Sequence, residues 1–327
     1  MKLNKGADVK NLSSCYNKMI NIDILYKGRE AMEDKMENLI KLPKDEDDKF
    51  ANFIRINRGL LISSPKITAE KATNHNSDFI LGLIDGGQIT RAIIELRELA
   101  YDEFLKEESI FNSVILKEIG KKFDAPRIRL DALCQYLSKV DTSDFVVLKD
   151  SITEIFGSYS GYISPYIYQL CLSNTQSRRS RAGKVFEGII YFLYDHFNYP
   201  YASQASIGKK TFSELGLGKV VDSILPSVDA FNQRRDKTIV GTMKTTLRER
   251  WQEVVEEVAR SNLPNIHLLT VDESIASSKA EQMAKHNIVL VVRNDVKNKD
   301  EMKDRRSIID FETYFLSELP ETLKFWS

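Results

Sequence analysis

Between residues 219 and 294 the chain switches repeatedly between strand-like and helix-like periods, and that succession admits few folds. KVVDSILP (219–226) and KTIVGTMK (237–244) read as two strands, the second the hairpin partner of the first. TLRERWQEVVEEVARS (246–261) is an amphipathic helix, with Trp251, Val254, Val255 and Val258 along its apolar side. NIHLLTVD (265–272) and NIVLVVRN (287–294) are continuous apolar runs of the buried-strand type, and the helical ESIASSKAEQMAKH (273–286) separates them. Strand hairpin, helix, strand, helix, strand predicts an α/β core: a mixed β-sheet flanked by helices.

The rest of the chain has a different texture. Segments 28–42, 46–60, 87–107, 110–122 and 126–138 read as helices, with Pro43 and Pro126 as punctuation. Within 87–107, Ile89, Ile93, Leu96, Ala100 and Leu105 fall near one stripe. KDEDDK at 44–49 reads as a solvated helix start. A basic cluster, SRRSRAGK (177–184), precedes an apolar helix, VFEGIIYFLYDHF (185–197), which ends in a loop carrying Pro200, Gly208, Gly216 and Gly218. The segment 311–326 is amphipathic and suited to pack on the core. The expected division is a mostly helical region over 1–150 and a sheet-bearing core over 151–327.

Composition excludes several classes. The three cysteines (Cys15, Cys134, Cys171) and four histidines are scattered, so neither a disulfide framework nor a structural zinc site is expected. No apolar run is long enough to span a membrane, and the first residues are polar without an apolar signal core, so a cytoplasmic location is expected. Lys and Arg number 47 and Asp and Glu 47, which argues against indiscriminate coating of nucleic acid. The balance is uneven, however. Residues 176–250 hold thirteen Lys and Arg against seven Asp and Glu.

Asp222 interrupts an apolar strand, where an isolated carboxylate is costly and calls for a partner or a metal. Lys244 ends the neighbouring strand and shares a face with Thr242, because side chains alternate. On the following helix, Glu253 and Glu257 lie four residues apart on one face, with Arg250 a further turn back. Glu253 and Glu256 are the alternatives to Glu257, and Asp229 is the rival to Asp222. Arg248-Glu249-Arg250 begins four residues after Lys244. Arginine donates a bidentate pair to guanine and glutamate accepts from cytosine, so this tripeptide suits the reading of G·C pairs. Its bland alternative is an exposed helix of alternating charge.

An Asp on one strand and a Lys on the next resembles the PD-(D/E)xK nuclease core, with Thr242 standing where that family usually has its second carboxylate. The thirteen-residue step from Lys244 to Glu257 is similar to the migrated carboxylate of the restriction-endonuclease branch containing SsoII, EcoRII, PspGI and NgoMIV. Glu187, thirty-five residues before Asp222, matches that branch's additional acid. The resemblance implies a restriction-endonuclease-like fold and a type II restriction endonuclease that hydrolyses double-stranded DNA with Mg²⁺. It makes Asp222, Glu257 and Glu187 the metal set and Lys244 the residue that orients water and offsets phosphate charge.

The same resemblance places base reading on Arg248, Glu249 and Arg250, with Gln176 in the minor groove. The expected site is CCNGG-like (CCNGG or CCWGG), cut before the first C. Arg178, Arg179, Arg181 and Lys184 suit phosphates. Arg97 and Tyr101, four apart in ELRELAY, offer a pocket for flipped central bases, with an insertion relative to the family spacing. A two-fold symmetric site calls for a homodimer, with a tetramer on DNA as a further state, and a companion cytosine methyltransferase. Residues 1–150 then serve DNA recognition and dimerisation. Two alternatives stand beside this reading: a sequence-nonspecific repair or junction nuclease on the same core, and a non-catalytic DNA-binding regulator. Metal-dependent cleavage with sequenced ends separates all three.

Overall fold

The computed structural model describes residues 41–218, 220–248, 251–261 and 263–327. Helices dominate the first part: α1 (Lys44–Leu61), α2 (Pro65–His75), α3 (Ser77–Asp85), α4 (Ile89–Lys122), α5 (Asp124–Leu137), α6 (Phe145–Tyr162) and α7 (Ser164–His196). Then come β1 (Ala202–Ser203), α8 (Gln204–Glu214), β2 (Ser223–Leu225), α9 (Val228–Gln233), β3 (Ile239–Lys244) and α10 (Trp251–Ser261). The remainder is β4 (Ile266–Thr270), α11 (Ser277–Lys285), β5 (Ile288–Val292), α12 (Asn294–Lys297), β6 (Ile308–Asp310), α13 (Phe311–Thr313) and α14 (Leu319–Lys324). Nearly all of the helix expected over 28–42 lies outside the described residues.

The chain forms two compact units. One comprises the described residues up to Asn57 with Asn112–Ser173; the other comprises Arg58–Phe111 with Asn174–Ser327. The first unit is helical and closes around an aromatic cluster. Phe50 meets the rings of Phe123 and Tyr166 edge-on at 5.5 and 5.0 Å, and the Tyr166 hydroxyl donates to Glu46.

The second unit holds the sheet, six strands in the order β1-β2-β3-β4-β5-β6. The pairs β1–β2 and β2–β3 are antiparallel, while β3 through β6 are parallel. Parallel neighbours need a crossover, and α10 and α11 supply those joining β3 to β4 and β4 to β5. Both faces are covered, which explains the unbroken apolar runs in β4 and β5. On one face Leu225, Ile239, Met243, Leu269 and Val291 pack with Ile89 and Ile93 of α4 and Ile189 and Leu193 of α7. On the other, Ile224, Val240, Leu268 and Leu290 pack with Val254 and Val258 of α10 and Met283 of α11. Phe311, Tyr314, Phe315 and Leu319 are fully buried in the first layer.

Several elements depart from the sequence expectation. The strand expected over 219–226 is only three residues long, with Asp222 just outside it, although its amide still donates to Gly241 O at 2.9 Å. The Gly-containing loop after residue 197 carries β1 and α8, which breaks at Gly208 (φ 85°). The basic segment 177–184 is part of the 33-residue α7. Along α4 the buried stripe passes through Ile89, Ile93, Leu96, Ala100 and Phe104, so the 3.6-residue period selects Phe104 in place of Leu105.

Candidate active site

The antiparallel pair β2–β3 brings an acid and a base together. Ser223 lies opposite Gly241 in register, which sets Asp222 beside Thr242 and Met243. One Asp222 oxygen, Oδ2, accepts the Met243 N–H at 2.7 Å and lies 3.8 Å from Lys244 Nζ. Thr242 Oγ1 approaches the same oxygen at 3.4 Å and donates to Val220 O at 2.6 Å. The hydroxyl in the slot of the missing carboxylate therefore braces the segment that leads into Asp222. Burial holds the Asp222 carboxyl above the ordinary range, against the pull of Lys244 and the Met243 amide.

Glu187 reaches this site from α7. Burial first, and then the charge of Asp222, push its carboxyl up to about 7, while Lys244 and Lys184 pull it down. Lys184 lies one turn earlier on the same helix. One turn later stands Tyr191, whose hydroxyl donates to the backbone carbonyl of Asp222 at 3.0 Å and whose ring stacks on Tyr201 at 5.3 Å. Tyr191 has no motif of its own; its signal in the sequence is its place four residues after Glu187.

On α10, Val254, Glu257, Val258 and Ser261 are buried, an i, i+3, i+4, i+7 face that turns Glu257 inward at 5% exposure. Glu253 and Glu256 are exposed, and Asp229 lies in the first turn of α9. Glu257 Oε1 accepts from the Gly218 amide, Arg260 Nη2 and Ser261 Oγ, each at 2.6 Å. A Cβ at Gly218 would stand 2.1 Å from Glu257 Oε2, so a larger residue there would force the Glu257 carboxylate to move. Gln204 Nε2 donates to the carbonyls of Gly218 and Val221 at 3.3 and 2.7 Å. Glu257, Gln204 and Thr242 together clamp the segment that delivers Asp222. The structure thus joins Asp222 and Lys244 directly and brings Glu187 within reach of their charges, while Glu257 bonds to the supporting loop and to its own helix.

The donor chemistry suits a hard divalent cation. Asp222 and Glu187 are neighbouring carboxylates whose charges oppose each other, and Mg²⁺ commonly takes one or two carboxylates with water and phosphate oxygens completing its shell. Asp222 and Glu187 are the two carboxylates that would hold such a cation here.

The remaining expected contacts divide. Arg248 is exposed in the segment after Lys244, while Glu249 and Arg250 lie outside the described residues. Gln176, Arg179 and Lys184 are exposed on α7. Gln176 lies eleven residues before Glu187, about 16 Å along the helix axis. Arg178 and Arg181 have internal partners. Arg178 Nε donates to Glu108 Oε2 at 3.0 Å, and Glu108 is buried. Arg181 donates to Ser63 O and Thr68 Oγ1 at 2.7 and 2.8 Å and lies over the Phe104 ring. Tyr101 is exposed on α4; Arg97, one turn before it, is part-buried near Arg293 and Glu273.

The chain has counterparts among known proteins. The EcoRII C-terminal family model matches residues 146–315. The type II restriction enzyme SsoII of Shigella sonnei is 33% identical over 237 residues, covering 72% of this chain and 68% of that protein. Metal-depleted Ecl18kI in complex with uncleaved, modified DNA matches with a TM-score of 0.64 at 29% identity, over 86% of each chain. The PspGI–substrate DNA complex shares the fold, with a TM-score of 0.55 at 19% identity over 81% of this chain and 94% of that one. With more than half of its length inside the family model and 33% identity to SsoII over 72% of its length, the chain belongs to the EcoRII C-terminal family and is a type II restriction endonuclease, a site-specific deoxyribonuclease.

Proposed function

We propose that this enzyme cuts both strands of double-stranded DNA at a CCNGG-like site (CCNGG or CCWGG), before the first C, in a reaction that requires Mg²⁺. The observation that carries the chemistry is the approach of Lys244 Nζ to Asp222 Oδ2 at 3.8 Å, with the Glu187 carboxyl electrostatically coupled to both. Asp222, Glu187 and Glu257 are the metal set: Asp222 and Glu187 would hold the cation, and Glu257 would support them through its hold on Gly218. When bound, Mg²⁺ supplies an acidified water and charge compensation for the phosphate. Asp222 presents one oxygen in an orientation fixed by the Met243 amide. Lys244 orients the attacking water and offsets charge on the phosphate oxygens. Glu187, once deprotonated, would be free to hold the cation beside Asp222.

Base reading falls to Arg248, Glu249 and Arg250, with Gln176 in the minor groove; the exposure of Arg248 and Gln176 supports this. Exposed Arg179 and Lys184 serve phosphates, and Arg178 and Arg181 contribute through the shape of α7 as well as through charge. Arg97 and Tyr101 hold flipped central bases, a reading supported by the exposed Tyr101 ring. The enzyme works as a homodimer, with tetramers on DNA. We assign recognition and dimerisation to residues 1–150 and catalysis to residues 151–327, although residues 58–111 pack in the same compact unit as the sheet and 151–173 in the helical unit. Its companion is a cytosine methyltransferase, and its place is the cytoplasm. No helix among the described residues is long and apolar enough to cross a membrane.

Digestion of phage-sized DNA with Mg²⁺, followed by sequencing of the ends, tests the reading. Discrete fragments with CCNGG-type ends are expected, and Lys244→Ala should slow cleavage about a hundredfold or more. A smear, or full activity of that variant, would overturn it.

A further inference from the structure

The backbone after Lys244 is gripped from outside its own segment. Leu247 donates its N–H to Asp272 Oδ2 at 2.8 Å, and Lys279 Nζ donates to the carbonyl of Arg248 at 3.0 Å. The Leu247 side chain is buried in the core. Asp272 is itself held in place, its amide donating to Thr270 Oγ1 and its Oδ1 accepting from the Ser274 amide, both at 3.1 Å. Between these tethers Arg248 has a φ of 30°, a conformation that L side chains rarely adopt, and its side chain is exposed. Asp272 follows β4 and Lys279 lies on α11. The grip therefore comes from the crossover beyond the neighbouring parallel strand, where Thr270 is the register partner of Lys244.

We infer that Asp272 and Lys279 are positioning residues for sequence discrimination: they hold Arg248 in its left-handed conformation and so set the direction in which its guanidinium leaves the surface. The inference rests on the reading of Arg248 as a base-contacting residue. A bidentate arginine–guanine pair needs the planar fork aligned with O6 and N7 together, so a relaxed backbone forfeits it. Asp272 bonds to Leu247, Thr270's hydroxyl and Ser274, and Lys279 to the Arg248 carbonyl. Their effect passes through the segment that carries Arg248.

The test compares kcat/KM on a duplex bearing the site the wild-type enzyme cuts with kcat/KM on duplexes changed at one outer base pair. Asp272→Ala and Lys279→Met should each lower that ratio about tenfold. Lys279→Arg, which keeps a cationic donor for the Arg248 carbonyl, should restore most of it. In an Arg248→Ala background, adding Lys279→Met should change the ratio less than about twofold, since both act on one contact. Should Asp272→Ala fail to fold, the exposed Lys279 bond carries the test alone. An equal fall on every duplex, or an unchanged ratio in the variants of a selective wild-type enzyme, overturns the clasp alone. A wild-type enzyme that cuts all duplexes alike overturns the site-specific reading and the clasp with it.

Discussion

A carboxyl group that keeps its proton to about pH 7 makes the Glu187 position measurable by two routes. In the metal-free protein its pKa lies above the ordinary 4.5, so between about 4.5 and 7 the folded state binds more protons than the unfolded one. Its contribution to stability is therefore full at low pH and is lost as pH rises through that window. Thermal unfolding in EDTA should show wild type losing stability across this range relative to Glu187→Gln. The second route is linkage to the cation. The proton must leave for the carboxylate to act as a ligand, so Mg²⁺ affinity should rise with pH up to about 7 and flatten in Glu187→Gln. Titration calorimetry in buffers of different ionisation enthalpy counts the released proton. Asp222 and Lys244 were legible in the sequence because a charge in a period-two apolar strand stands out. The upward shift of Glu187 was not, since it arises from burial and a charge thirty-five residues away.

At the scale of elements, the segment from Gly218 to Asp222 and the inward face of α10 work as one part. Glu257 was legible by its spacing from Lys244, and its burial separates it from Glu253 and Glu256. Its hold on the Gly218 amide was not legible, because it depends on how closely a loop and a helix approach. Gly218→Ala tests that approach. The added methyl meets Glu257 and Arg260 and should cost about 1–3 kcal/mol in urea unfolding, with cleavage falling as Asp222 loses its bracing. Activity and stability both unchanged would show that the segment gives way without consequence. The hairpin, α10 and the buried strands were readable from periodicity. The two- and three-residue strands β1 and β6 were not, being too short to display any period. That Arg178 and Arg181 also have internal partners was not legible, because Glu108 and Phe104 lie on a helix some seventy residues earlier.

For the whole molecule, a neutral total conceals an uneven distribution, with the basic excess concentrated over 176–250, the stretch that carries the proposed catalytic residues Glu187, Asp222 and Lys244. In the helical unit, α6 presents Phe145, Ile152 and Phe156 at 76, 51 and 73% exposure, on one face at helical spacing. That apolar row supports self-association. Phe156→Glu should shift sedimentation from dimer toward monomer and reduce double-strand cutting in favour of nicking. A dimer unmoved by that change, and by Ile152→Glu, would place the interface elsewhere.

The burial of residues 311–319 in the first layer bears on how the enzyme comes into being. Thr90, at the start of α4, donates its amide and hydroxyl to Glu312, each at 2.7 Å, and Tyr194 beneath the site shares a hydrogen bond with Tyr314 at 2.8 Å. The floor under Asp222 and Glu187 is therefore assembled only after residues from the far end of the sheet-bearing unit have been synthesised. A nascent chain on the ribosome, with every proposed catalytic side chain already made, still lacks the layer that seats them. The order of translation thus delays the appearance of an enzyme that cuts DNA until its fold can be completed.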